Sequence, residues 1–113
     1  MKIVTKPIAL SEVKEMAEKT FGSMVKAVVD IEKKIMVVDA DLHSDLEALL
    51  LENGSLQKNL WGINIYPGLP NEQMVEFDSV INLRPSFGNR TRGVDSPQIQ
   101  KEIIKIVSQF IKE

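Results

Sequence analysis

The sequence predicts one α+β domain, residues 1–113, in which an antiparallel sheet of four to five strands carries three helices packed on one face. Two pairs of apolar segments rich in β-branched residues are each separated by a short polar or Pro/Gly turn, which is typical of hairpins. Apolar residues recur at helical spacing in three other segments. The order is therefore β-α-β-β-α-β-β-α, without a linker or a low-complexity tract.

The first half of the chain contains one edge strand, one helix and one hairpin. Residues 3–5 are predicted to form a short strand, and Pro7 confines it to the sheet edge because proline has no amide to donate. Ser11 is a suitable N-cap for the first helix. Residues 24–31 and 35–40 then form the two strands of the first hairpin around a charged turn.

The second half repeats this pattern of a helix and a hairpin and ends in a further helix. Ser44 and Glu47 match a capping box at the start of a short helix rich in leucine. Residues 60–66 and 75–83 are predicted as the strands of the second hairpin. Ser96-Pro97 predicts the start of the last helix, because serine is a good cap and proline is favoured at the first helical position.

Composition excludes several classes of protein. The net charge of −2 supplies no basic field, which argues against double-stranded nucleic acid as a partner. The absence of cysteine excludes disulfides and thiolate metal sites and is typical of a cytoplasmic protein. Apolar runs are too short for a membrane span.

The distribution of arginine is the main functional signal. All three arginines, Arg84, Arg90 and Arg92, fall in one nine-residue stretch that contains no lysine. Guanidinium grips phosphate or carboxylate through a planar fork of donors. Together with Asn89 and the start of the last helix, this arginine loop (84–93) predicts a binding site for a small anionic ligand. In the alternative interpretation, the arginines pair with main-chain carbonyls and nearby acids and only hold the loop in place.

The single histidine suggests a second hypothesis, an enzyme. His43 would act as acid or base with help from Asp45 or Asp78, while the arginine loop orients the substrate. In an extended segment His43, Asp45 and Glu47 could hold a divalent metal, but the capping box places both acids in the first helical turn. We therefore predict neither a metal nor another cofactor.

The second hairpin also has an unusual polar side. If its apolar residues face the helices, one set of polar residues lies on the open face of the sheet: Asn64, Tyr66, Asp78, Asn82 and Arg84. Asparagine is depleted in strands, so Asn64 and Asn82 suggest a hydrogen-bonding platform that leads toward the arginine loop. The alternative is an ordinary solvated face of an antiparallel sheet.

A third hypothesis is an assembly or adaptor protein without a small-molecule site. Trp61 and the leucine triplet 49–51 are the residues that could anchor a partner or a second copy in a homo-oligomer.

Four segments carry a resemblance to a known family. They are Leu42-His43-Ser44-Asp45, Glu52-Asn53-Gly54-Ser55, Leu60-Trp61-Gly62, and Asn82-Leu83-Arg84-Pro85 with Asn89-Arg90. In these segments the chain resembles a small prokaryotic family catalogued only as a domain of unknown function. The resemblance covers nearly the whole length and implies no activity, substrate or cofactor.

Overall fold

The computed structural model describes residues 1–113, which fold around a five-stranded antiparallel sheet. The elements in chain order are β1 (Lys2–Val4), β2 (Ile8–Ala9), α1 (Leu10–Lys19), β3 (Val25–Asp30), β4 (Ile35–Val38), α2 (His43–Glu52), β5 (Leu60–Ile65), β6 (Val75–Glu76), α3 (Pro97–Phe110) and β7 (Ile111–Lys112). The strand order is β1-β4-β3-β5-β6, and β2 and β7 form a separate parallel pair. The predicted α+β class, with an antiparallel sheet and three helices, is confirmed.

The central strand β3 is flanked by its hairpin partner β4 and by β5. Val28 lies opposite Val37 on one side and opposite Gly62 on the other. The carboxylate of Asp30 ends the hairpin strand by accepting hydrogen bonds from the amides of Glu32 and Lys33, each at 2.9 Å. The predicted first hairpin and the predicted edge position of β1 are both confirmed.

One face of the sheet is covered by α1 and α3. Their buried residues pack on one alternating set of strand positions, which includes Val29 of β3 and Ile63 of β5. The side chain of Ser96 accepts a hydrogen bond from the amide of Ile99, so the predicted cap of the last helix is confirmed. None of the three helices has both the length and the continuous apolar surface that a bilayer crossing needs.

The other face is covered by α2, which corrects the expectation that all three helices pack on one face. Leu46 and Leu50 of α2 form a second apolar cluster with Val28, Val37 and Leu60. The reason is visible in the strands: β3 and β4 carry valine on both faces, so each face needs its own cover.

Helix α2 begins earlier than the capping box predicts. It starts at His43 after Leu42, and no side chain caps its first turn, so the proposed role of Ser44 as N-cap is wrong. The ring of His43 contacts the sheet and so fixes this residue as the first of the helix. Helix α1 likewise begins at Leu10, so Ser11 does not cap it.

The partner strand predicted over 75–83 is wrong beyond its first two residues. Strand β6 ends at Glu76, and Val80–Asn82 form a 3₁₀ turn in which Ser79 accepts a hydrogen bond from the amide of Ile81. The chain leaves the edge of β5 and crosses over its α2-covered face. Gly62 permits this crossing, because Ser79 lies where a side chain at position 62 would be.

We expect Gly62→Ala to destabilise the fold by roughly 1–3 kcal/mol, as overpacking of a tight contact does. An added Cβ would lie 2.6 Å from the Cβ of Ser79 and 2.7 Å from its Oγ. The matched control is Gly68→Ala, where nothing lies within 4 Å of the added carbon. Urea unfolding of both variants measures the difference, and equal midpoints would contradict the proposed close contact.

Candidate functional site

The side chain of Arg84 is buried and binds main-chain carbonyls, so it does not face solvent. Its residue is only 9% exposed, its Nη1 donates to the carbonyl of Gln57, and its Nη2 donates to the carbonyl of Leu60 at 2.7 Å. The guanidinium carbon lies 4.4 Å from the centroid of the Trp61 ring, a cation–π distance. Burial lowers the pKa of Arg84, and the negative charge of Glu47 partly offsets that effect.

Asn82 replaces the main chain that a neighbouring strand would have supplied to β5. Its Oδ1 accepts from the amide of Gly62 at 2.8 Å, and its Nδ2 donates to the carbonyl of Gly62 at 2.9 Å. The same Nδ2 donates to the carbonyl of Arg92 at 3.0 Å. Asn82 is completely buried, so its side chain is a structural tie and not part of an open platform.

Asn89 holds the arginine loop together from inside. Its Nδ2 donates to the carbonyls of Asn82, Thr91 and Gly93 at 2.7, 3.1 and 2.9 Å. Its Oδ1 accepts from the amide of Asp95 at 2.8 Å. The amide and carbonyl of Asn89 also pair with those of Arg84. The loop therefore has a fixed shape, set by buried amide hydrogen bonds.

Arg92 differs from Arg84 because its side chain is anchored yet remains at the surface. Its Nε donates to Oδ1 of Asp78 at 2.8 Å, while 60% of the side chain stays exposed. Its carbonyl accepts from the amide of Ser79 and from the side chain of Asn82. Both Nη groups of Arg92 have no protein partner. The guanidinium is thus oriented by the hydrogen bond of its Nε, while Nη1 and Nη2 make no hydrogen bond.

Arg90 is exposed and less restrained. Its amide donates to Oδ2 of Asp95 at 2.7 Å, but its side chain makes no hydrogen bond or ion pair. The three arginines thus have different environments: Arg84 is buried and bound to main-chain carbonyls, Arg92 is anchored at the surface, and Arg90 is exposed with a free side chain. The interpretation in which an arginine holds the loop in place therefore describes Arg84, and anion binding by Arg90 or Arg92 stays a prediction.

His43 is nearly buried at the start of α2. It is 8% exposed, and its Nε2 lies 2.8 Å from the carbonyl of Ile63. Because a carbonyl can only accept, Nε2 carries the hydrogen and the neutral ring keeps its lone pair on Nδ1. Nδ1 has no partner. Nδ1 is not fully buried, so it retains some contact with solvent.

Burial and several charged residues change the pKa of His43. Burial is the main cause that lowers the pKa of His43, and the positive charges of Lys26 and Arg92 lower it further. The hydrogen bond to Ile63 and the negative charge of Asp78 act in the opposite direction. We call these four residues, His43, Lys26, Asp78 and Arg92, the His43 cluster. Ser79 lies against Gly62 on the α2-covered face and its amide donates to the carbonyl of Arg92, so the arginine loop and the histidine lie on the same side of the sheet.

Asn64 lies beside this cluster and is also buried, so the open face predicted for it is occupied. Its Nδ2 donates to Oε1 of Glu76 at 2.8 Å and, more weakly, to the carbonyl of Asp78 at 3.4 Å. Its Oδ1 is buried without a partner. Asn64 therefore ties β5 to the segment that carries Asp78, and so helps to position the acid that anchors Arg92.

Asp45 and the other acids near His43 do not form a metal site. Asp45 is exposed in the first turn of α2, and its side chain makes no hydrogen bond. In the whole structure no three His, Asp or Glu side chains converge as metal ligands do. The structure has three surface cavities, and no residue of the His43 cluster lines any of them.

Only some of the residues expected to anchor a protein partner are in the core, since Leu49 is half-buried and Leu51 is 40% exposed. Trp61 and Leu50 are buried, whereas Val80, Leu83 and Phe87 of the segment around the arginine loop are exposed. A homo-oligomer stays a prediction, but it would not be held by Trp61.

Lys26 is the cluster residue that sequence reasoning missed. It sits in a strand of apolar residues and faces the α2 side, opposite Asn64 in the register of β3 and β5. A single lysine inside a valine-rich strand was the available signal.

A family model described as "Protein of unknown function (DUF5674)" matches residues 2–110. This match confirms the resemblance found in the sequence, and it brings no ligand or reaction with it. No curated protein and no solved structure matches the chain.

We expect Asn82→Asp to cost roughly 2–4 kcal/mol of unfolding free energy, because it leaves buried carbonyls facing a carboxylate. Those carbonyls belong to Gly62 and Arg92. Asn71→Asp is the matched control, since Asn71 is exposed and its side chain makes no hydrogen bond. If chemical denaturation gives the same small loss for both, Asn82 is not the tie described above.

We also expect His43 to make the protein less stable in mild acid. A lowered pKa in the folded state means that the unfolded chain takes up the proton first as the pH falls below about 6.5. His43→Gln keeps an amide donor for Ile63 but cannot titrate. Between pH 7.5 and 5, wild-type stability should fall more steeply than that of His43→Gln. Parallel profiles would contradict the lowered pKa.

Proposed function

This chain thus belongs to the DUF5674 family of unknown function, and from that premise we propose that it binds a small anion, phosphate or carboxylate, at Arg92 beside His43. The observation that carries the proposal is the geometry of Arg92. Asp78 holds its Nε at 2.8 Å, while most of the side chain remains exposed. A fork fixed in this way loses less conformational entropy when it grips two oxygens.

The buried part of the arginine loop supports this role indirectly. Asn82 binds the carbonyl of Arg92 itself, and Asn89 binds the carbonyls of the residues before and after it. Arg84 fixes the start of the loop to β5. Because these hydrogen bonds hold the loop in one conformation, the backbone of Arg92 is fixed and its side chain is directed the same way in every molecule. Asn64 contributes in the same way through its contacts with the segment of Asp78. We propose that these four residues position the site and that Arg92 contacts the anion.

Two further cations favour an anion at this place. Lys26 lies close enough for its charge to lower the pKa of His43. Arg90 is two residues from Arg92 and its exposed side chain is free to contribute an outer contact. Asp78 does not repel the ligand strongly, since its charge is paired with Arg92.

A second candidate function is an enzyme in which His43 acts as acid or base on a substrate held by Arg92. The observation that favours it is the series of contacts from His43 through Ile63 and the adjacent Asn64 to Asp78, which anchors Arg92. Asp78, rather than Asp45, is then the assisting acid, because the side chain of Asp45 is exposed and makes no hydrogen bond. No residue of the cluster lines one of the three cavities, so this chemistry would require the substrate itself to complete a cleft.

We expect phosphate, or a small dicarboxylate such as succinate, to raise the melting temperature of the wild type. At a hundred times its dissociation constant, a single-site ligand adds about 2.7 kcal/mol of stability. Arg92→Ala should lose this effect, and Arg92→Lys should keep only part of it, because ammonium lacks the fork.

The matched control for this experiment is Lys101→Ala. It removes one positive charge from α3, on the other side of the sheet, and should leave the ligand-induced shift unchanged. Equal shifts in wild type and Arg92→Ala for every anion would show that Arg92 does not bind them.

A further inference from the structure

We propose that His43 is a phosphorylation site whose Nδ1 accepts a phosphoryl group from a small acyl phosphate held by Arg92. The inference rests on the proposed anion site and goes further, because it names the ligand class and gives the histidine a covalent role. The observation behind it is that Nε2 of His43 is hydrogen-bonded to the protein, whereas Nδ1 has no partner.

The ring of His43 is held in one tautomer and one orientation. Nε2 donates to the carbonyl of Ile63 at 2.8 Å, and the residue is more than nine-tenths buried. A histidine that served only the core would be expected to have partners at both nitrogens. Here Nδ1 has no partner and stays in contact with solvent. Of the two ring nitrogens, Nδ1 is therefore the one that is not already used in a hydrogen bond.

The ring is also in the chemical form that attacks phosphorus. Burial and the nearby cations lower the pKa of His43, so the lone pair on Nδ1 is unprotonated at neutral pH. This effect adds to the geometry, which by itself already selects the nitrogen.

The transfer balances without a further reactant. The Nδ1 lone pair forms the N–P bond, the P–O bond to the acyl group breaks, and the carboxylate leaves with its electron pair. No proton moves, because Nε2 keeps its hydrogen on the carbonyl of Ile63. That hydrogen bond and the negative charge of Asp78 favour the positive charge that the substituted ring develops.

A series of contacts places Arg92 near the ring of His43: the ring binds the carbonyl of Ile63, the adjacent Asn64 binds the carbonyl of Asp78, and Asp78 anchors Arg92. Arg92 offers two free Nη groups, and Lys26 supplies a second positive charge. Because no side chain caps α2, the amides of its first turn, at His43 and Ser44, also remain available to an anion. These donors stabilise the charge that is spread over the oxygens during transfer.

Incubation of the purified protein with acetyl phosphate tests the proposal. Mass spectrometry should find one phosphoryl group on His43, in an adduct that is labile in acid and stable in base. Phosphorus NMR of the wild-type adduct should assign the bond to Nδ1. Arg92→Ala should slow labelling roughly tenfold or more, as the loss of a charged donor at a reacting group does. Arg90→Ala, the neighbouring arginine without an anchor, should slow it far less.

His43→Gln should show no labelling, and the bond assignment in the wild type keeps the test valid if that variant folds poorly. If phosphate raises the melting temperature through Arg92 but His43 is not labelled, this inference is overturned and the anion site stands. If neither occurs, both fail. Labelling at Nε2, or labelling that is equally fast in Arg92→Ala, would show adventitious reaction of an accessible imidazole and would also overturn it.

Discussion

The missing side chain of Gly62 is the constraint on which the sheet and the arginine loop both depend. It leaves room for Ser79 against β5, and it exposes a main-chain amide and carbonyl that the carboxamide of Asn82 then satisfies. Two positions earlier in the strand, Arg84 takes the carbonyl of Leu60. Along this edge, side chains therefore do what a neighbouring strand does elsewhere, since buried backbone groups must be paired. The chain is released from the sheet and can carry Asp78 and Arg92 across its face.

Most of the fold could be predicted from local signals. The first hairpin, the edge position of β1 and the cap at Ser96 follow from strand propensity, proline chemistry and capping preferences, all of which act within a few residues. The signals failed where a distant contact took precedence. The alternating pattern after Glu76 predicted a strand, but the side chain of Asn82 had already supplied the pairing that such a strand would make. The start of α2 was set by a contact between His43 and Ile63, twenty residues apart.

The candidate site could be located from the sequence but not interpreted from it. Confinement of arginine to one loop indicated a candidate segment, but the three side chains have three different environments. The deciding factor is the polar partner that each guanidinium finds: carbonyls of 57 and 60 for Arg84, a carboxylate for Arg92, and none for Arg90. Those partners come from separate parts of the chain, so no spacing rule within the loop could have distinguished them.

The stacking of Arg84 on Trp61 has a spectroscopic consequence. The chain contains one tryptophan, and the cation that covers it is the residue that fastens the arginine loop to β5. Indole emission responds to nearby charge and to water. Tryptophan fluorescence of this protein therefore comes from a single position and reports whether the arginine loop remains attached to β5.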